Sequence, residues 1–315
     1  MKYSDNSDII IIDNDSSDNS VKYVKESFPQ IEVKSNPINY GFAKGYNEIL
    51  LKENRYDIFA LINNDVEVTP NWIDPLKKEL NNQNTGIVQP KILNYTQKNK
   101  FDYAGAAGGF LDLLGFPFCR GRIIDHIELD KGQYNNNTQI FWASGACFMI
   151  NSSLYRELNG FDEDLFMHQE EIDLCWRTHG KNKSIYYCHN SVVYHYGGGT
   201  LKYNHSKKTF YNHRNNLLIL IKNMEFKKII SVFPIRIFID YIIITLYTLQ
   251  FFTSILSLQF QKNKILNAIA IIKSHISFLY LFPKFILKRK QIKTKLDNRI
   301  IILSYFLKKK RTYTN

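Results

Sequence analysis

Twice in the first 65 residues a short, wholly apolar run stops abruptly at a cluster of Asp and Asn. Ile9-Ile10-Ile11-Ile12 runs into Asp13-Asn14-Asp15-Ser16-Ser17, and Ile58-Phe59-Ala60-Leu61-Ile62 runs into Asn63-Asn64-Asp65. A strand that is apolar at every position is buried on both faces, so helices must cover the sheet above and below. The sequence between the two runs supplies them. It predicts a helix from about Ser20 to Phe28, a strand from Ile31 to Lys34, and a second helix after Pro37, where Phe42, Tyr46, Ile49 and Leu50 recur at helical spacing. Beyond Asp65, Thr69-Pro70 predicts an N-cap with proline at the first helical position. The expected class is α/β, a mostly parallel sheet with flanking helices, whose ligands lie beyond the carboxyl ends of the strands. Asp13 and Asp65 both fall at such ends.

Composition removes several alternatives. With 315 residues, 44% hydrophobic and 22% charged, the chain has enough apolar matter for a large core, which excludes a disordered tail or a disulfide-stapled peptide. Cys119, Cys147, Cys175 and Cys188 form no CxxC pair, which argues against a zinc knuckle and for a reduced, cytosolic compartment. The polar start Met1-Lys2-Tyr3-Ser4-Asp5-Asn6 predicts no signal peptide. No GxGxxG joins a strand to a helix, the glycines of Gly105-Ala106-Ala107-Gly108-Gly109 have the wrong spacing, and there is no Walker sequence. In their place stand carboxylates and asparagines at strand ends. That donor set suits a divalent cation, Mg²⁺ or Mn²⁺, neutralising a diphosphate.

Five ordered segments resemble the motifs of family 2 glycosyltransferases of the GT-A fold. They are Ile12 to Ser20, Asn39 to Asn47, Leu61 to Val66, Glu170-Glu171-Ile172-Asp173-Leu174-Cys175-Trp176-Arg177, and Val193-Tyr194-His195-Tyr196-Gly197-Gly198-Gly199-Thr200. Within that family the chain most resembles the bacterial rhamnosyltransferase-like branch that builds surface polysaccharides. The resemblance covers about residues 5 to 223. It implies that Asp13 binds the nucleotide base or ribose, and that Asn39, Gly41, Asn47 and Asn63 line the nucleotide pocket. It implies that Asp65 and His195 hold the metal and diphosphate, and that Glu171, with Glu170 as fallback, is the general base. Trp142, Ser144 and Gly145 would border the donor sugar and acceptor, and Arg214 would pair with phosphate.

Plainer readings stand beside these. Asp13 also suits a turn and helix cap, and Gly41 to Asn47 a helix start. Trp142 to Ala146 reads as a buried strand interrupted by glycine. Arg214 also suits a solvated helix face, and a lone histidine such as His195 is ordinarily a hydrogen-bonded core or edge residue. Asp173 is fully explained by the helix dipole and an i,i+4 ion pair to Arg177. Where the family carries Asp-x-Asp this chain has Asn63-x-Asp65, which leaves Asp65 as the sole carboxylate of that motif.

The expected reaction is displacement at the anomeric carbon of a dTDP- or UDP-sugar, with the inversion that the family implies, onto a saccharide or lipid-linked acceptor. The tail bears on where this occurs. From Lys222 onward there are 18 basic and 3 acidic residues, a charge of +15, against −3 for the rest. Residues 241 to 258 carry no charge, and a helix of that stretch just reaches the ~30 Å of a bilayer core. Residues 265 to 282, broken by Lys273 and His275, read as a poor span. The expectation is a 1–223 transferase domain and a basic, apolar helical region over 224–315, whose helices lie in or dip into the inner leaflet on anionic lipid. That makes the protein cytoplasmic and peripheral on the inner membrane, with no nucleic-acid partner. Relatives carry a further strand and helix ahead of the Asp13 strand, so these are expected to be missing and the open sheet to be poorly soluble. The alternative function is a catalytically silent homologue that binds membrane or a partner.

Overall fold

The computed structural model describes residues 3–4, 7–197 and 205–314. It opens with β1 (Ile10–Asp13), α1 (Ser20–Ser27), β2 (Glu32–Ser35), α2 (Gly41–Leu50) and β3 (Ile58–Ile62), each close to its predicted segment. Next come β4 (Val66–Val68), α3 (Ile73–Leu80) and the long β5 (Thr85–Asn94). A meander of β6 (Gly109–Leu111), β7 (Pro117–Cys119), β8 (Arg122–Ile123) and β9 (His126–Ile127) leads to β10 (Thr138–Ile140), β11 (Cys147–Asn151) and α4 (Ser152–Glu157). The body closes with α5 (Glu170–His179), β12 (Ser184–His195) and α6 (Ser206–Asn223). After it come α7 (Phe226–Leu256), α8 (Lys262–Leu287) and α9 (Ile301–Phe306).

The α/β class and the flanking helices are as expected, but the sheet is mixed rather than mostly parallel. Its order is β10-β12-β5-β11-β3, with β4 on β12. Only β5 and β12 pair in parallel within it, whereas β11 runs antiparallel to both β3 and β5. The cause is topological. The chain leaves β5 at its carboxyl end, passes through the meander, and re-enters β11 beside the carboxyl end of β3, where Asn63 N donates to Ala146 O at 3.0 Å. A strand entering from that end can only run back.

Side chains alternate across the sheet with the strand period of two. In β11, Phe148 and Ile150 face the larger core under α2, α4, α5 and α6, while Cys147 and Met149 face a smaller core under α3. Two further expectations change. The helix predicted at Thr69-Pro70 starts at Ile73, because Thr69 Oγ1 donates to Val192 O at 2.7 Å and Asn71 turns to φ 59°. Trp142 to Ala146 is not a strand beyond a single bridge to Gly109. Ser144 draws its bonds elsewhere, from N to Gln89 Oε1 at 2.7 Å and from Oγ to Ala104 O at 2.8 Å.

β1 and β2 form a separate parallel pair. All of β1 is only half-buried although Ile10 to Ile12 are apolar, and Ala60 in the middle of β3 is exposed.

Helix α8 lies along α6 and pairs with α7. Buried positions Ile229, Val232, Arg236 and Asp240 recur at helical spacing on α7, while Phe238, Leu246, Leu249 and Phe252 face outward. With 31 and 26 residues, α7 and α8 are long and apolar enough to cross a membrane. By length and composition the second stretch, read from its sequence as a poor span, thus qualifies as well, and His275 Nε2 lies 2.9 Å from Asp240 Oδ2 on α7.

Candidate active site

Pairing of β4 with β12 sets His195 opposite Val66, and Tyr196 N donates to Asp65 O at 2.9 Å. The backbone thereby brings the fifth motif against the third. His195 Nε2 lies 3.2 Å from Asp65 Oδ1, and its Nδ1 lies 3.1 Å from Asp102 Oδ2. The approach to Asp65 is not a well-formed hydrogen bond, and this oxygen is buried without a hydrogen-bond partner among the described residues. Burial alone would push the His195 imidazole down, but the Asp102 and Asp65 carboxylates outweigh it and raise it to about 9. Contact with His195 in turn holds the Asp65 carboxyl below its usual range.

The orphaned Asp65 oxygen is a hard donor that suits a divalent cation taking its remaining oxygen ligands from phosphate and water, while His195, a borderline donor, could join it only after giving up the proton that the two carboxylates favour. Asp102 orients the imidazole from behind, as a carboxylate behind a ligating histidine commonly does. Gly197 sits against Asp102, while Gly198, Gly199 and Thr200 of the same motif lie outside the described residues.

The acidic motif arrives from the other side. Glu170 and Glu171 open α5, and a Cβ placed on Gly145 would lie 3.8 Å from Glu171 Cβ. Gly145 thus packs against Glu171, and the next residue, Ala146, accepts from Asn63 N, two positions before Asp65. Burial raises Glu171 to about 7, against the pull of backbone hydrogen bonds. Glu170 is pushed well up by burial and by the neighbouring Glu171 charge, and its Oε2 has no partner among the described residues. Asp173 behaves differently. It is fully buried, with Arg177 Nε at 2.7 Å, Lys222 Nζ at 2.8 Å and Asn223 Nδ2 at 2.8 Å, and these partners hold it far down despite burial.

The two glutamates are presented by a strained loop. Phe166, His168 and Gln169 have φ of 63°, 66° and 69°, a left-handed region that L-residues occupy only when the surroundings impose it. Asn215 on α6 imposes it here, its Nδ2 lying 2.9, 2.9 and 2.7 Å from Leu165 O, Met167 O and His168 O. Gly41 completes the clasp: at φ 76° a Cβ there would come within 2.5 Å of the Phe166 ring, and Phe42 N donates to Phe166 O at 2.8 Å.

Several expected contacts are otherwise engaged. Asn47 is buried and bonded to Phe161 N and O and Tyr155 OH, so it ties α2 to the core rather than facing a nucleotide. Arg214 is not aimed at phosphate: it donates to Asp164 O and Leu165 O and lies over the Tyr211 ring. Trp142 and Ser144 are buried, Trp142 Nε1 donating to Phe110 O at 2.9 Å. Asp13 Oδ1 accepts from Ser16 N at 3.2 Å, the turn its plain reading foresaw. Asn39 accepts from Asn14 and from Gly41 N, and Asn63 stands at the end of β3. Asp102, Asn14 and Asn215 were missed. Asn14 had a signal in the first motif, since its amide links Asn36, Asn39, Tyr40 and Gly41.

Residues 2–158 match the family model described as glycosyl transferase family 2. A low-salt glycan biosynthesis hexosyltransferase, Agl10 of Haloferax volcanii, is 24% identical over 184 residues, 58% of this chain and 56% of that one. An N-acetylglucosaminyl-diphospho-decaprenol L-rhamnosyltransferase of Mycobacterium tuberculosis is 22% identical over 182 residues, 53% of this chain and 59% of that one. The chain thus spans little more than half the length of these relatives. Among solved structures, GalNAc-T7 with UDP, GalNAc and Mn²⁺ superposes with a TM-score of 0.53 at 16% identity, covering 70% of this chain and 43% of that one, a likeness of fold. Ordered motifs, mixed GT-A-type sheet and family match agree: the chain belongs to glycosyl transferase family 2.

Proposed function

We propose that the protein is an inverting glycosyltransferase that moves a sugar from a dTDP- or UDP-sugar to a saccharide or lipid-linked acceptor in bacterial surface-polysaccharide assembly. One observation carries the reading: motifs far apart in sequence converge at the carboxyl end of β3, where β12 brings His195 to Asp65, Asn63 N donates to Ala146 O, and the adjacent Gly145 packs against Glu171. Glu171, raised to about 7, is poised to accept the acceptor hydroxyl proton near neutral pH. The hydroxyl oxygen then bonds to the anomeric carbon as the bond to the diphosphate oxygen breaks, and one displacement inverts that centre. Asp65 and His195 are the residues to hold Mg²⁺ or Mn²⁺, which would supply charge neutralisation for the diphosphate. Asn215 holds the glutamate loop through Leu165 O, Met167 O and His168 O, which would position the base before substrate arrives.

The same reading places the protein on the cytoplasmic face of the membrane. The outward apolar residues of α7 and α8 meet the leaflet, and the basic residues meet anionic headgroups. Asp13, Asn39, Gly41 and Asn63 remain the proposed nucleotide contacts. The half-buried β1 is the observation on the side of a silent homologue, and activity decides between the two readings.

The test is nucleoside diphosphate release from a panel of UDP-, dTDP- and GDP-sugars, with Mn²⁺, with Mg²⁺ and with chelator. Metal-dependent release from one donor, lost in Asp65→Ala, supports the transferase. No release from any donor moves the reading to the silent homologue.

A further inference from the structure

The loop that presents the two glutamates takes the left-handed conformation at two successive residues that are not glycine, His168 and Gln169, with φ of 66° and 69°. Glycine would adopt it at no steric cost, so a larger side chain held there needs a reason of its own. Gln169 has one. It is buried, its Nε2 donates to Asn212 O at 3.0 Å, and its Oε1 accepts from Asn216 Nδ2 at 3.0 Å. Phe166, left-handed as well, stacks on the Tyr211 ring at 5.7 Å. His168 is different. Its backbone is clasped, Asn215 Nδ2 donating to His168 O at 2.7 Å, yet its Nε2 is buried with no hydrogen-bond partner among the described residues. Such a nitrogen has lost its water and gained nothing in exchange, a cost that a bound ligand removes.

Position and charge say which ligand. His168 stands two residues before Glu170 and three before Glu171. The Lys208 ammonium on α6 lies within electrostatic range both of His168 and of Asp102, the carboxylate behind His195. The imidazole is thus near the acidic motif and, through one ammonium, linked to the centre proposed to hold the diphosphate. Burial and that ammonium hold it down to about 4, so it is neutral, with one ring nitrogen a donor and the other an acceptor. A neutral imidazole suits a hydroxyl better than a phosphate, whose charge calls for a cation. The hydroxyls next to a bound diphosphate are those of the sugar attached to it.

We infer that His168 is a specificity-determining residue whose Nε2 hydrogen-bonds one hydroxyl of the donor sugar, held for that contact by the Asn215 clasp on its left-handed backbone. The inference rests on the transferase reading of Asp65 and Glu171. A site that pairs a buried polar atom with a substrate hydroxyl rejects the sugar lacking that hydroxyl, because the atom is then left unpaired again.

His168→Gly separates side chain from backbone, since glycine keeps the left-handed conformation without strain. The full chain and this variant are compared for binding of the nucleoside diphosphate with Mn²⁺, and for its release from the nucleotide sugar that the donor panel selects and from the monodeoxy forms of that sugar. His168→Gly is expected to bind the nucleoside diphosphate within twofold of the wild type but to release it from the donor at least tenfold more slowly. The wild type is expected to turn over one monodeoxy donor at least tenfold more slowly than the parent, and His168→Gly to treat the two alike. His168→Gln, whose amide reaches toward the same point, is expected to recover part of the rate and of the discrimination, and it carries the same comparison if His168→Gly does not fold. Release by the variant within twofold of the wild type overturns the inference. A slower rate with the discrimination among deoxy donors unchanged also overturns it, since His168 then only shapes the loop. A tenfold loss of nucleoside diphosphate affinity overturns it too, since His168 then serves the diphosphate. Failure of the transferase reading shows in the wild type itself, as absence of release that depends on Asp65.

Discussion

Four carboxylates within a few residues of α5 and β4 have four different fates, set by what surrounds each. Glu171 has burial and little compensation, and its carboxyl rises to about 7. Asp173, on the same helix, is more deeply buried but meets Arg177, Lys222 and Asn223, and stays ionised. The consequences are separable. Glu171→Gln is expected to lower kcat by about 10²–10⁴ with little change in stability, measured by steady-state transfer and urea unfolding. Asp173→Ala is expected to destabilise the fold by about 3–5 kcal/mol, because buried Arg177 is left without a carboxylate among the described residues and Lys222 keeps only Asp162. For pH the sign follows from which form reacts. The base must be ionised, so the rate falls about tenfold per unit below pH 7 and levels off above pH 8, as a pH–rate profile would show. Glu170 stays protonated longer, pushed up by burial and by the Glu171 charge, and Asp65 is held low by His195, so neither sets that limb. The sequence made Asp65, Glu171 and His195 visible because each sits at the end of a strand or the start of a helix. Asp102 was invisible because it lies in an unpatterned segment, and only the pairing of β5 with β12 brings it to His195. Arg214 was misread because helical spacing does not say which side of α6 turns toward the loop at Leu165.

At the level of elements, apolar runs were read well and their directions were not. β3 matches its predicted run residue for residue, since five apolar residues between polar clusters leave little choice. That β11 would insert antiparallel depends on where the meander returns, a long-range fact that no local pattern encodes. The helix expected at Thr69-Pro70 failed for a related reason: the Thr69 hydroxyl is taken by Val192 O, a residue distant in sequence. Burial predicts unequal local stability. Among the described residues β1 pairs only with β2 and is half-buried, whereas β5 and β11 lie inside the six-stranded sheet. Amide exchange in β1 is therefore expected to be at least a hundredfold faster than in β5 and β11, read by native-state hydrogen exchange. Equal protection would show that β1 is covered in solution.

Taken whole, the molecule joins an α/β body to an apolar hairpin without a clean seam between them. α8 covers α6, and His213 Nδ1 on α6 lies 3.0 Å from Asp240 Oδ1 on α7, which also meets His275 on α8. A chain ending at residue 223 would expose the apolar surface of α6 that α8 covers, so that fragment is expected to aggregate rather than behave as a free domain, as size-exclusion chromatography would show. The hairpin and the glutamate loop share α6, since Asn215 holds the loop while His213 reaches the hairpin. The central proposal is that Asp65 and Glu171 act on one bound sugar donor, the first through its diphosphate and the second on the acceptor hydroxyl that attacks it. The direct measurement is sugar transfer and nucleoside diphosphate binding by the wild type, Asp65→Ala and Glu171→Gln. Loss of Mn²⁺-dependent nucleotide binding and of transfer in Asp65→Ala, with binding kept and turnover lost in Glu171→Gln, is the result the account predicts. Transfer at the wild-type rate in either variant would contradict it.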